Sequence, residues 1–252
     1  MKIGLIGFGK TGKAVANVLL QDKTFCLEWV LRRSTLWEQR SVSEFFGIHS
    51  EEPGIIYSSS KIEIEELLDK HPVDIIIDFS SSSGIYTYGE IAAERHITII
   101  SAISHYNKED KKLLRKLSAQ TIVFWSPNIT LGVNYLMFAA KILKKIAPFV
   151  DIEIVEEHYK GKEGVSGTAI KIAEALDLEK SEINSVRVGG IVGKHEVIFG
   201  FPYQTVRLVH ESISREAFGN GVIFVAENIA NKKAGFYTFD DILLPYFYSE
   251  KK

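Results

Sequence analysis

Lys2-Ile3-Gly4-Leu5-Ile6-Gly7-Phe8-Gly9-Lys10-Thr11-Gly12 decides how the rest of the chain is read. The apolar run over 2–7 does not alternate, as expected of a strand buried on both faces. It ends in G-x-G-x-x-G, and a helix is expected over 11–20. In a strand–turn–helix unit each glycine meets a different need. The first permits a tight turn, the second lets a pyrophosphate approach the backbone, and the third lets helix and strand pack closely. Free amides and the dipole at the helix start attract the anion. Gly7, Phe8, Gly9, Lys10, Thr11 and Gly12 are therefore the candidate contacts for a dinucleotide. By itself the motif also suits a plain reversal of the chain.

The same grammar continues outward. Strands are expected at 26–31, 73–78, 97–100 and 122–125, with helices at 61–70, 85–95 and 108–118. Continuous apolar strands separated by helices imply a Rossmann-type, doubly wound parallel sheet. Asp78-Phe79-Ser80 falls at the carboxyl end of one such strand, where open α/β sheets bind ligands. Phe79 and Ser80 thus join the cofactor candidates, although a capped loop leading into the next helix reads equally from these residues. The second strand ends Leu31-Arg32-Arg33-Ser34, where NAD binders usually carry an acid. Arg32 and Arg33 could pair with a 2′-phosphate, which favours NADPH over NADH. A solvated pair, or stacking on adenine, remains the other reading.

Past Ser126-Pro127-Asn128 the pattern changes, and proline there suits a domain boundary. Helices at 135–146 and 168–176 accompany strands at 151–157, 186–188, 196–201 and 205–211. Strands in succession without helices between them point to a second, α+β domain with a mixed or antiparallel sheet. Its most informative stretch is Glu156-Glu157-His158-Tyr159-Lys160-Gly161-Lys162-Glu163-Gly164-Val165-Ser166-Gly167-Thr168. A strand delivers acids, a histidine and lysines into a glycine-punctuated loop, and Ser-Gly-Thr opens a helix. Amides at that start and the hydroxyls of Ser166 and Thr168 could hold a carboxylate, with Lys162 adding charge. His158 titrates in the range useful for proton transfer. A capped helix following a solvated charged loop is the competing reading.

This stretch resembles the signature of the dihydrodipicolinate reductase family, E-x-H-H-x-x-K-x-D-A-P-S-G-T. Further blocks match in order: the N-terminal glycine motif, Asp78-Phe79-Ser80, the run from Ser126 to Asn134, the run from Arg187 to Val197, Ser214 to Gly221 and Gly235 to Leu243. The resemblance implies reduction of 4-hydroxy-tetrahydrodipicolinate to tetrahydrodipicolinate by NADPH or NADH. It implies His158 as proton donor with Lys162 beside it, and Tyr159, Ser166, Gly167 and Thr168 around a dicarboxylate. It adds Ser101, Ser104, Ser126 and Asn128 to the cofactor contacts. It further implies a homotetramer built on the open sheet of the second domain, and a tail that returns to the first. The expected domains are 1–127 with 226–252 for the dinucleotide, and 128–225 for substrate and assembly. Three departures stand out. Tyr159 replaces a second histidine, the loop from Lys162 to Ser166 is one residue short, and Ser101-Ala102-Ile103-Ser104 replaces Gly-Thr-Thr-Gly. They leave open a reductase of another imino or oxo acid, or a cofactor-binding sensor without turnover.

Composition sets the outer limits. The 252 residues carry 30 basic and 32 acidic side chains, a formal charge of −2, so no global field recruits nucleic acid or an anionic membrane. Cys26 is the single cysteine and excludes a disulfide within the chain. No apolar run reaches the ~18 residues of a membrane span, and no secretory leader is visible, so a cytoplasmic location is expected. His49, His71, His96 and His105 lack ligand spacing, and no metal is expected. His195 and His210 lie on strand-like runs and are read as structural.

Overall fold

In the computed structural model the chain opens with β1 (Lys2–Ile6), α1 (Lys10–Leu19), β2 (Cys26–Arg32), α2 (Val42–Phe46), β3 (Ile55–Ser58) and α3 (Ile64–Lys70). Then follow β4 (Ile75–Asp78), α4 (Ile85–Glu94), β5 (Thr98–Ser101), α5 (Lys108–Leu117) and β6 (Ile122–Trp125). The next stretch holds α6 (Leu131–Ile146), β7 (Asp151–His158), α7 (Gly167–Ala175), β8 (Ile183–Arg187), β9 (Gly193–Phe201) and β10 (Gln204–Ser212). The chain ends with α8 (Glu216–Ile229), β11 (Gly235–Tyr237), α9 (Phe239–Leu243) and α10 (Pro245–Tyr248). The structure describes residues 1–248, so 249–252 of the expected returning tail lie outside the described residues.

Two units emerge. Met1–Ile129 and the chain from Phe218 form the first, and Thr130–Ala217 the second. The first holds a parallel sheet in the order β11-β6-β5-β4-β1-β2-β3. The order reverses beside β1, and such a switch point opens a crevice at the carboxyl ends of the strands. Ile3, Leu5, Leu27, Val30, Ile76, Ile77, Ile99 and Ile100 are buried, as expected of strands covered on both faces. The helix starts obey capping chemistry. Asn107 accepts the amide hydrogens of Glu109 and Asp110, while Asp110 accepts that of Asn107, and Arg115 and Lys116 complement the last turn of α5.

The second unit is a four-stranded mixed sheet in the order β10-β9-β7-β8, with β7 parallel to β8 and antiparallel to β9. Strand alternation sends Ile152, Ile154, Glu156 and His158 to one face. Ile152 and Ile154 join Val133, Leu136, Ala140, Ile172, Ala173, Val197 and Phe199 in a core beneath α6 and α7. The opposite face carries Val155, Ile198 and Val209 among ion pairs, Lys194 to Glu157 at 2.7 Å and Arg207 to Glu196 at 2.5 Å.

One packing detail in the first unit is open to test. A Cβ on Gly4 would lie 2.2 Å from the fully buried Trp29 indole, whose Nε1 donates to the His71 carbonyl at 3.0 Å. Gly4 is the seat of that ring. Gly4→Ala should destabilise the protein by about 1–3 kcal/mol, because overpacking forces ring or strand to move. Urea unfolding followed by tryptophan fluorescence measures it; an unchanged midpoint would contradict this packing.

Candidate active site

The glycine turn sits at the carboxyl end of β1 and divides its labour as the chemistry requires. Gly7 has φ +98°, and a Cβ there would lie 2.7 Å from the Phe79 carbonyl. A Cβ on Gly12 would be 1.9 Å from the Gly7 carbonyl oxygen, so α1 can approach β1 only through glycine. A Cβ on Gly9 would meet open space, the place a pyrophosphate needs. Gly9 caps α1 without a side-chain bond, and the first turn holds no acid. The free amides are therefore left for an anion. Phe8 is buried against Phe45 at 5.2 Å, whereas Lys10 is exposed and Thr11 half-buried.

A cavity of about 280 Å³ adjoins the turn, lined among others by Gly7, Arg32, Arg33, Ser59, Glu63 and Ser80. The two arginines differ. Arg32 donates from Nη1 to the Leu36 carbonyl at 3.1 Å and lies 5.9 Å from the Phe8 ring centre. The Arg33 guanidinium makes no hydrogen bond or ion pair to the described residues. The loop after β4 is pinned by a buried carboxylate. Asp78 accepts the Ser80 amide hydrogen at 2.8 Å and its hydroxyl hydrogen at 2.6 Å, and the Tyr88 hydroxyl at 2.9 Å. Burial pushes the Asp78 carboxyl upward, against those three hydrogen bonds. Phe79 is half-buried and meets Phe218 edge-on. Ser101 is buried 2.9 Å from the Tyr106 hydroxyl, and Ser104 is exposed. The Ser126 hydroxyl donates to the Asn128 carbonyl at 2.6 Å, so both shape the turn that leaves β6.

In the second unit, strand register assembles a polar cluster on a face that is otherwise core. Glu156 pairs with Ser185 on β8 and His195 on β9, and His158 pairs with Arg187. The Glu156 carboxylate, fully buried, accepts from Arg187 Nη2 and from the Ser185 hydroxyl, both at 2.5 Å. Its other oxygen faces His158 Nδ1 in a short hydrogen bond. Arg187 also donates to the carbonyls of Lys162 at 3.0 Å and Gly164 at 2.6 Å, tying the charged loop to the sheet. Ser166 caps α7, accepting the Ala169 amide hydrogen at 3.0 Å, and lies 3.0 Å from His195 Nε2. The rings of His158 and His195 meet edge-on, 5.3 Å apart. Gly167 and Thr168 open the helix alongside, and Tyr159 is half-exposed.

Electrostatics follow from this placement. Burial pushes Glu156 upward, but hydrogen bonds from Arg187 and Ser185 and the nearby His158 hold it below the usual carboxylate range. Burial lowers His158; Glu156 opposes this, while Lys162 and Arg187 add to it. His195 is pushed down to about 3 by burial, with the His158 charge next. Its Nδ1 has no hydrogen-bond partner among the described residues. Ser185 was not singled out from the sequence, Glu156 and Arg187 stood there only within longer quoted stretches, and His195, read there as structural, lies within the cluster. The available signal was period-two alternation, which points Glu156 and His158 into a core-facing row.

Glu156, His158 and His195 each offer a ligand atom within 4.8 Å of the others, a spacing compatible with a divalent cation. A metal would have to displace the His158–Glu156 hydrogen bond and sit beside the Arg187 guanidinium. The donor set therefore fits a hydrogen-bonded charge network better than a resident metal. Among the described residues, no helix is long and apolar enough to cross a membrane.

Comparison with known proteins covers nearly the whole chain. Residues 1–129 match the family description "Dihydrodipicolinate reductase, N-terminus", and residues 130–243 match "Dihydrodipicolinate reductase, C-terminus". The 4-hydroxy-tetrahydrodipicolinate reductase of Caldanaerobacter subterraneus subsp. tengcongensis is 34% identical over 196 residues, 69% of this chain and 78% of that protein. That of Thermosipho africanus is 29% identical over 249 residues, 98% of this chain and all of that protein. Among solved structures, a dipicolinate-bound dihydrodipicolinate reductase from Paenisporosarcina sp. TG-14 superposes with a TM-score of 0.78 at 19% identity. It covers 96% of this chain and 98% of that one.

The buried network makes a prediction about stability. His195 is neutral in the fold down to about pH 3, whereas an unfolded histidine protonates near 6.5. Between those values the unfolded chain binds a proton that the folded protein refuses, so stability falls as pH falls. This residue contributes a slope of up to about 1.4 kcal/mol per pH unit. Urea unfolding at a series of pH values should show a shallower acid dependence in His195→Asn. An identical slope would contradict a buried neutral imidazole. Ser166→Ala should cost about 1 kcal/mol through loss of the cap.

Proposed function

Because the chain belongs to the dihydrodipicolinate reductase family, we propose that its two units divide the reaction, the first taking the dinucleotide and the second the dicarboxylate. The protein is an oxidoreductase of the lysine and diaminopimelate pathway, reducing 4-hydroxy-tetrahydrodipicolinate to tetrahydrodipicolinate. A hydride and a proton are added and water is lost. A bound reduced nicotinamide supplies the hydride. The glycine turn and the uncapped start of α1 hold its pyrophosphate, and the Asp78-pinned loop closes the neighbouring wall.

His158 gives the proton, and Lys162 with the first amides of α7 holds a substrate carboxylate. The observation that carries this reading is the cluster on the inner face of the mixed sheet. It keeps His158 beside a loop whose lysine and helix start suit an anion. Tyr159, half-exposed next to His158 and outside the hydrogen-bonded cluster, meets the substrate from the open side. Four copies assemble through the open face of the sheet, where Val155, Ile198 and Val209 lie among complementary charges. NADPH is preferred, with Arg33 as the residue that meets the 2′-phosphate, since Arg32 is already engaged with Leu36.

Steady-state kinetics test these assignments. His158→Gln should lower kcat by about 10²- to 10⁴-fold with the KM for NADPH unchanged. Unimpaired turnover would discard the proton-donor role. Arg33→Ala should raise the KM for NADPH about tenfold or more and leave that for NADH alone, as expected when a charge-assisted bond is lost. Arg32→Ala should do much less. Equal effects of Arg33→Ala on both cofactors would refute phosphate recognition. Sedimentation showing only monomer at micromolar concentration would refute the assembly.

A further inference from the structure

Among the described residues of the second unit, Glu156 is the one fully buried carboxylate. It occupies a strand position whose neighbours on the same face, Ile152 and Ile154, are core residues. An apolar residue there would extend the core at no desolvation cost, so the fold is not what calls for a charge. Its two oxygens are divided. One takes hydrogens from Arg187 and Ser185, and the other takes the hydrogen of His158 Nδ1. With Nδ1 committed, only Nε2 of His158 is left to exchange a proton, and it has no partner among the described residues. That nitrogen faces the backbone of Gly193, where a Cβ would lie 3.1 Å away.

We propose that Glu156 is a positioning residue for the reduction: anchored by Arg187 and Ser185, it fixes the His158 ring with Nδ1 protonated and Nε2 as the proton-giving atom. This rests on His158 being the proton donor. Glu156 acts through His158 and touches neither substrate nor cofactor. Its charge has a second effect. The groups facing His158 are Glu156 on its own strand, Arg187 on β8, His195 on β9 and Lys162 in the following loop. Two of these are cations and His195 is held neutral by burial, so Glu156 is the one neighbour that favours the imidazolium. A donor must be protonated before it acts, and activity therefore declines as pH rises through the His158 pKa. Removing the Glu156 charge lowers that pKa and moves the decline to lower pH.

The full-length protein, labelled with ¹⁵N-histidine, should show neutral His158 as the Nδ1–H tautomer; the Nε2–H tautomer would overturn the proposal whatever the variants do. Glu156→Gln should lower kcat about 10- to 100-fold, the usual cost of losing the group behind a working histidine. The KM for NADPH should stay unchanged, and the alkaline limb of the kcat–pH profile should move to lower pH. Glu156→Asp should return the limb toward its original position. Glu174→Gln, exposed on α7 and paired with Lys171, should leave both unchanged. Wild-type kcat and pH limb in Glu156→Gln would refute the positioning role. If His158→Gln is inactive in that case, the positioning role alone has failed. Full turnover in His158→Gln would instead remove the donor reading on which it rests. Should Glu156→Gln fail to fold, the tautomer in the unaltered protein decides.

Discussion

A single buried carboxylate organises the second unit. Transferring Glu156 from water into the face of a sheet costs several kcal/mol, and that cost is offset only if every lone pair finds a strong partner. The sheet provides these partners through register alone. The neighbours of Glu156 across β8 and β9 are Ser185 and His195, and two residues on, His158 stands opposite Arg187. The guanidinium that neutralises Glu156 also grips the carbonyls of Lys162 and Gly164. One cation thereby fixes the charge behind His158 and the course of the loop that carries Lys162. Breaking such a pair from either side leaves an uncompensated charge, worth about 3–5 kcal/mol in comparable sites. Ring orientation and loop position are coupled for that reason.

The first unit solves its problem with almost no side-chain chemistry. Its proposed anion site is made of absent atoms: Gly9 leaves open space, Gly12 lets α1 lie against β1, and Gly7 adopts a left-handed backbone. A pyrophosphate is bound by amides and dipoles that any sequence supplies once the backbone has this shape. Side chains matter at the periphery, where Arg33 lines the cavity and Asp78 holds Ser80. The first unit thus relies on backbone shape, whereas the proposed substrate site of the second depends on a particular set of charged residues.

The same division governs what the sequence revealed. The strands β1, β4, β5 and β6 were legible because burial on both faces makes them continuous apolar runs. No element was foreseen between 33 and 60, where the structure has α2 and β3. Each is five residues or fewer, and the loop before them carries Trp37 and Gln39 at positive φ, which no local pattern announces. Helix α8 was equally hidden, since Gly219 and Gly221 weaken a helical reading. Gly219 is there because a Cβ would lie 2.5 Å from Val18, a tertiary demand. The expectation that α6 begins at 135 fell four residues late; the helix starts at Leu131, directly after Thr130. Within the site, His158, Lys162 and Ser166 could be read as a string. Glu156, Arg187 and His195 acquire their roles only through pairing across three strands.

That pairing also accounts for the shortened loop. The family pattern places one more residue between the lysine and the serine than Lys162-Glu163-Gly164-Val165-Ser166 provides. Both ends of the segment are nonetheless fixed. Lys162 donates its amide hydrogen to the Tyr159 carbonyl at 3.0 Å and gives its carbonyl to Arg187, while Ser166 is held between Ala169 and His195. The chain closes the gap by taking φ +62° at Gly164, a conformation that costs glycine little, and its carbonyl becomes a second acceptor for Arg187. A deletion that would displace a freely hanging loop is thus absorbed at one glycine, with the lysine still tied to the strand that carries His158. The constraint that matters to the chemistry is not the number of residues in the loop. It is the guanidinium at its centre, and that guanidinium is fixed by the buried carboxylate it neutralises.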